Sequence, residues 1–361
     1  MRRGGVPAET LMKAAPCLLA WLALAAAAGA APAPLARRGA DEAYPGVTVQ
    51  YAEMTDAAGQ RLRLILTFPR EAQTRLPVIF VAGWLSCDSV AAPAGSMGAP
   101  QQLFQALARL PGFATVRLDK PGVGDSEGEC GATDFTTELA AYRQAFRALK
   151  DYPFADPQRL FVLGLSNGAG FAPLVAEGAP VRGYVVVGGW LKTWFEHMLE
   201  IERRRLTLAG TPPARINAGM QDVERLYSAY LLERQSPRAI FAREPQLKAL
   251  WEGDPDHQYE RPVRYYQQLQ ELDLMQAWAG VRVPLLALHG EYDWIMSGAD
   301  LELMAELVNR NAPGSARFME LPHTGHTLEN YASLSDAFAG KARAFDPQLA
   351  TLVGGWFSEH R

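Results

Sequence analysis

Nine consecutive residues constrain this chain more than any others: Val162-Leu163-Gly164-Leu165-Ser166-Asn167-Gly168-Ala169-Gly170. An apolar, β-prone run over 160–163 enters a Gly-x-Ser-x-Gly turn, and a small-residue segment suited to starting a helix leaves it. A chain that passes from strand to helix with no loop between them forces its apex residue into a strained backbone conformation. Glycines two before and two after the apex remove the Cβ atoms that would collide there. The Ser166 hydroxyl then stands clear of the sheet and faces free N–H groups of the first helical turn. The pattern alone also fits a glycine-rich turn with an incidental serine, so the rest of the chain has to decide.

Strand and helix patterns alternate around this turn. Residues 46–51 and 62–68 read as strands flanking Asp56-Ala57-Ala58-Gly59. Residues 76–82, 113–118, 159–163 and 183–187 are apolar runs of the kind buried on both faces. Helical patterns over 101–110, 137–150 and 169–176 separate them. That cadence predicts an α/β fold with a mostly parallel sheet covered on both sides. From 190 to 278 the pattern is helical without a strand, broken at Thr211-Pro212-Pro213 and Gly253-Asp254-Pro255, which marks an insertion. Strands at 283–288 and 316–321, a helix at 299–309 and closing helices through 356 complete the core. The expected organisation is a core of 46–189 and 279–361 interrupted by a helical cap of 190–278.

Residues 1–30 read as an export signal. Arg2, Arg3 and Lys13 precede an alanine-rich apolar run over 14–28, and Ala28-Gly29-Ala30 offers small residues for cleavage before Ala31. An uncleaved anchor is the rival, but the run is short for a span. Residues 31–45, rich in proline and alanine, are expected to be a flexible lead-in. Nothing later looks transmembrane, so no membrane insertion is expected once the signal is cut. Export to the periplasm or beyond favours pairing of the two remaining cysteines, Cys87 and Cys130. Net charge is −4 with 20% charged residues and no basic patch interleaved with aromatics, which argues against nucleic acid. The six histidines are scattered, Cys/His metal-ligand spacing is absent, and no metal or organic cofactor is required.

A serine nucleophile needs a base within hydrogen-bond reach and a carboxylate to orient that base. In an open parallel sheet such groups come from loops at the carboxyl ends of strands. His289-Gly290-Glu291-Tyr292-Asp293 follows one late strand and Leu321-Pro322-His323-Thr324-Gly325-His326 follows the next, giving the chain order Ser, Asp, His. Between His326, after Gly325 at an expected helix start, and His323, after a proline and nearer the strand, His326 is favoured with the help of the family pattern given below. Asp293 is preferred to Glu291, which falls earlier in the loop. The position after strand 183–187 holds Gly188 and Gly189 and offers no carboxylate. Oxyanion donors are expected at the backbone N–H groups of Asn167 and Trp84, where Gly83 permits close backbone approach. Cys87 lies in that second loop, and Cys130 ends the loop after the neighbouring strand. If the two strands are adjacent, the thiols approach bonding distance, and a disulfide bracing the oxyanion loop is expected over two separate buried thiols. His289 is expected to pack or hydrogen-bond within its own loop, while His197, His257 and His360 have no evident partner.

With these residues assembled, the chain resembles the α/β-hydrolase superfamily, in its capped serine esterase and serine aminopeptidase-like branch. The resemblance rests on Gly164-Leu165-Ser166-Asn167-Gly168, on Asp119-Lys120-Pro121-Gly122-Val123-Gly124-Asp125-Ser126, on His289-Gly290-Glu291-Tyr292-Asp293 and on Gly325-His326. It implies a central eight-stranded, mostly parallel sheet, a cap over the site, and acyl-enzyme chemistry at Ser166 with His326 as base and Asp293 as its orienting acid. One departure stands out: many members carry His-Gly where this chain has Ala82-Gly83. The 119–128 loop looks structural in the family and is assigned no chemistry. The cap is expected to line an apolar pocket for a small-molecule acyl substrate. Trp190, Trp194, Tyr265 and Tyr266 are candidate contacts, each better explained as core, since aromatic residues on helices usually pack. The first expectation is a hydrolase of carboxylic esters. An aminopeptidase on the same triad needs an acidic clamp, for which Glu196, Glu200 and Glu202 are candidates, although a solvated helix face explains them as well. Acyl transfer to an alcohol shares the acyl-enzyme, and a non-catalytic binding protein on this fold is the reading from a different class.

Overall fold

The computed structural model describes residues 35–361 apart from 37, 38 and 73, so the expected export signal lies outside the described residues. Eight strands form the central sheet: β1 Val47–Thr55, β2 Arg61–Pro69, β3 Leu76–Ala82, β4 Ala114–Leu118, β5 Ala155–Leu165, β6 Gly183–Val187, β7 Leu285–Gly290 and β8 Ala316–Leu321. Their order is β1-β2-β4-β3-β5-β6-β7-β8. Only β2 runs against its neighbours, and every pair from β4 to β8 is parallel. The strand cadence predicted a mostly parallel sheet, and the resemblance implied its eight strands.

Two-residue alternation explains why the central strands read as unbroken apolar runs. In β3, Val78, Phe80 and Ala82 face a core shared with helices α2 Phe135–Ala148 and α3 Asn167–Val175. Ile79 and Val81 face the opposite core, closed by α1 Ala99–Ala108 and α11 Pro347–Glu359. With both faces covered, each position is buried, and every fully buried side chain of this size contributes about 1.5–3 kcal/mol.

Between β6 and β7 lie α4 Trp194–Leu208, α5 Pro213–Tyr227, a π-helical segment Ser228–Leu232, α6 Pro237–Arg243, α7 Val263–Gln270 and α8 Leu274–Ala279. Met198, Val223, Tyr230 and Tyr266 from this insertion belong to the same apolar cluster as Phe80 and Phe171, so its helices share a core with the sheet. The insertion also contains a two-strand ribbon, His257–Gln258 with Arg261–Pro262, where none was expected. Its turn residues, Tyr259 and Glu260, hold φ of 45° and 65° without the glycine or asparagine that signals such a turn. Helices α9 Gly298–Asn311 and α10 Leu334–Phe338 complete the chain, and no helix of the described residues is long and apolar enough to cross a membrane.

Residues 39–45 correct the expectation of a flexible lead-in. Glu42 is buried and forms a two-pronged ion pair with Arg117 of β4, at 2.6 and 3.0 Å. Burial acts to raise the Glu42 carboxyl, but Arg117 outweighs it and holds the carboxyl below its ordinary range. Leaving Arg117 unpaired in the sheet would be costly, and this anchors the segment.

Candidate active site

The turn after β5 has the geometry that its glycines require. Ser166 holds φ 54° and ψ −121°, in the left-handed half of backbone space that a residue with a Cβ rarely adopts. A Cβ on Gly168 would sit 2.2 Å from the Ala82 carbonyl oxygen and 2.3 Å from that of Gly83. Those contacts show how tightly the start of α3 is pressed against the loop after β3. A Cβ on Gly164 would lie 2.7 Å from Ala169 Cα. Because β3, β5, β6, β7 and β8 are parallel, the loops that follow them meet at one edge of the sheet.

At that edge His326 Nε2 lies 2.9 Å from Ser166 Oγ, and His326 Nδ1 lies 2.8 Å from Asp293 Oδ2. An ionised carboxylate only accepts, so Nδ1 carries the proton it donates and Nε2 is left to accept from the serine hydroxyl. The other carboxylate oxygen of Asp293 accepts from the Ile295 and Met296 N–H groups, both at 2.9 Å. Burial raises the Asp293 carboxyl, yet His326 and these donors prevail and hold it below its ordinary value. Burial likewise lowers His326, and the Asp293 charge outweighs it and raises the imidazole. The residues around His326 form a tight turn rather than the expected helix start, held by Gly325 N donating to Glu329 O at 2.9 Å.

The rejected alternatives have other partners. Glu291 accepts from the His323 backbone N–H at 2.8 Å, and the two side chains lie on the exposed side of the turn. His289, near the end of β7, is buried with Nε2 3.4 Å from O of Met296 in the loop that follows. His257 approaches Asp254 at 3.0 Å, and His360 donates from Nδ1 to Trp356 O at 2.8 Å. His197 packs against Trp194, and burial pushes it down to about 3, so it is neutral. Among the described residues no group of three or more His, Cys, Asp or Glu is placed to hold a metal ion.

The two expected oxyanion donors, the Trp84 and Asn167 N–H groups, flank the contact between Gly168 and the β3 loop. Their surroundings hold residues that sequence reading missed. The Lys120 ammonium is buried and donates to the carbonyls of Trp84, Leu85 and Ser86 at 2.6, 3.3 and 2.8 Å. The Asn167 amide donates to Tyr265 Oη at 3.0 Å and accepts from Trp190 Nε1 at 2.9 Å. Cys87 and Cys130 form a disulfide, Cα atoms 5.9 Å apart, tying the β3 loop to the segment before α2. The rest of the 119–128 loop is structural: Arg63 pairs with both Asp119 and Asp125, and Ser126 Oγ donates to Asp119 O at 2.7 Å.

The four aromatic candidates lie in the core, the reading preferred for each of them. Trp190 and Tyr265 spend their polar atoms on Asn167, and Tyr266 donates to Gln258 O at 2.5 Å. Trp194 is buried too, but its indole N–H has no hydrogen-bond partner among the described residues. The three acids considered as a clamp are all engaged. Glu196 closes the capping box at the start of α4, Glu200 pairs with Lys192 and Arg204, and Glu202 pairs with Arg205.

Comparison with known proteins bears on the family and the fold. The family model described as "Serine aminopeptidase, S33" matches residues 94–330, more than half of the chain. No curated protein sequence matches significantly. Similar solved structures include the hypothetical protein PA2218 from Pseudomonas aeruginosa, with TM-score 0.55, 15% identity, and coverage of 91% of this chain and 100% of that one. Est1E from Butyrivibrio proteoclasticus, solved with ferulic acid bound, aligns with TM-score 0.53 and 13% identity over 86% of this chain and 98% of its own. The Pyrococcus furiosus esterase Pf2001 aligns with TM-score 0.52 and 13% identity over 89% of this chain and 95% of its own. At such identities these structures speak to the fold alone, while the family match spans the elbow, the Asp293 loop and the His326 turn: the chain belongs to the S33 serine aminopeptidase-like family of α/β hydrolases.

Proposed function

We propose that the protein hydrolyses carboxylic esters of small molecules through an acyl-enzyme at Ser166. The observation that carries the reading is the continuous relay of Ser166 Oγ, His326 and Asp293, with contacts of 2.9 and 2.8 Å. In this reading Ser166 attacks the ester carbonyl while His326 Nε2 takes its proton, and the Asp293 carboxylate stabilises the imidazolium. The negative charge on the former carbonyl oxygen is met by the Trp84 and Asn167 N–H groups. Collapse expels the alcohol, which takes the proton back from His326. Water, activated by the same histidine, then releases the acid and regenerates the serine.

The family's aminopeptidase description names the alternative, and an observation on this chain favours the ester. An amino-terminal substrate needs an unspent carboxylate to pair with its ammonium, and Glu196, Glu200 and Glu202 each already hold a partner. The disulfide further supports export to an oxidising compartment, with the signal cleaved near Ala30. The test is turnover of p-nitrophenyl esters from C2 to C12 beside aminoacyl p-nitroanilides, by wild type and Ser166→Ala. Ester turnover that disappears in the variant is expected. Anilide turnover without ester turnover, or ester turnover that survives Ser166→Ala, would refute the reading.

A further inference from the structure

Glu138, on α2, is fully buried at the point where the supports of the two oxyanion donors meet. One of its carboxylate oxygens accepts from the Tyr265 hydroxyl at 3.2 Å and lies 3.9 Å from Lys120 Nζ. Its other oxygen pairs with the Arg261 guanidinium. Each contact leads to a donor. Lys120 gathers three successive carbonyls of the Trp84 loop. Tyr265 gives its proton to Glu138, so its oxygen is left to accept from the Asn167 amide. The Trp190 indole fixes the other end of that amide. Arg261 holds the arrangement from behind, with its guanidinium carbon 4.2 Å from the Tyr265 ring centroid and a hydrogen bond to Cys130 O at 3.2 Å.

We propose that Glu138 is a positioning residue for both oxyanion donors, acting on the Trp84 loop through Lys120 and on Asn167 through Tyr265. The inference rests on the ester-hydrolase reading above. Stability alone does not account for the cluster, because well-packed apolar side chains replace a buried ion pair at little or no loss. Charged and hydroxyl groups supply directed contacts, and direction is what two N–H groups aimed at one oxygen require.

The experiment counts active sites by endpoint titration with a fluorophosphonate, then measures kcat and KM per titrated site on the best p-nitrophenyl ester. Binding of an aryl trifluoromethyl ketone, which forms a tetrahedral oxyanion on the serine, is measured alongside. In Glu138→Gln, kcat per site is expected to fall about tenfold with KM within about twofold, a fraction of the roughly 10²–10³ that a whole donor supplies. The ketone is expected to weaken by the same factor as kcat/KM. Tyr265→Phe cuts only the arm to Asn167 and keeps the buried charges paired, so it decides the matter if Glu138→Gln fails to fold. Its kcat per site is expected to fall about threefold. A merely structural role would lower the number of titratable sites and leave kcat per site alone; that result in the variants that fold overturns the proposal. A wild type that is neither labelled nor active on esters overturns the ester reading and the positioning with it, whereas an active wild type beside undiminished variants overturns the positioning alone.

Discussion

Removing the Cys87–Cys130 disulfide by a double Cys87→Ala, Cys130→Ala substitution should lower stability by an amount the structure sets. The cross-link spans a sequence separation of 43 residues. Chain-entropy loss for a loop of that length corresponds to about 4 kcal/mol at 25 °C. No further charge penalty is expected, because Arg261, which lies against Cys130 Sγ, keeps its bonds to Cys130 O and Glu138. For a unit the size of residues 35–361, unfolding entropy is about 0.7 kcal/mol per degree, so the melting temperature should fall by about 6 °C. Calorimetry without reductant measures this, and wild type in excess reductant should melt with the double variant. A double variant melting within about 1 °C of wild type would refute the loop-closure argument. Free Cys87 and Cys130 thiols in a non-reducing peptide map would refute the disulfide itself.

The pH dependence comes from the Asp293–His326 pair. On the proposed mechanism His326 takes the serine proton only when neutral, and it is raised above 6.5, so kcat/KM should fall as pH drops through a point above 6.5, read in a pH-stat assay. Asp293→Asn should move that limb downward and cut kcat by about 10⁴, the loss expected when the imidazole tautomer is no longer held. Stability has its own window. The raised His326 contributes below its unfolded value of 6.5 and the contribution is lost as pH rises through the folded value, while the lowered Asp293 contributes above 3.8 and is lost as pH falls. Melting curves of wild type and Asp293→Asn should therefore diverge most between those two values, draw together as pH falls below 3.8, and narrow without meeting as pH rises through the folded value of His326. Gly188→Ala is expected to reduce kcat at least tenfold, because φ there is 59° and a Cβ would lie 3.1 Å from Asp293 Oδ2. Full activity in that variant would show that the contact yields.

The elbow was legible because its constraint is local: five residues state that a strand must turn at once into a helix. Asp293 and His326 were legible because each sits in a loop leaving an apolar strand, and parallel strands deliver their exit loops to one edge of the sheet. Composition misled over residues 39–45, since the charge that anchors Glu42 lies 75 positions away at Arg117. The ribbon at 257–262 was invisible because its turn uses Tyr259 and Glu260 at positive φ. Lys120 and Glu138 were invisible for a different reason. One sits in a loop of turn residues and the other on an ordinary amphipathic helix, and only the adjacency of β3 and β4 and the packing of α2 against α7 bring them together.

Those supporting contacts bear on what the site can recognise. Trp190 and Tyr265 were candidate contacts better read as core, and their polar atoms are committed to Asn167 and, for Tyr265, also to Glu138. The early acids of the insertion are committed to caps and ion pairs. A polar group already paired inside the protein gains little by exchanging its partner for a ligand. Recognition of a charged amino terminus by Glu200 would compete with its pairs to Lys192 and Arg204, which also hold Asp300 and the Trp294 and Met296 carbonyls respectively. An uncharged ester asks only for shape, two N–H donors and the serine.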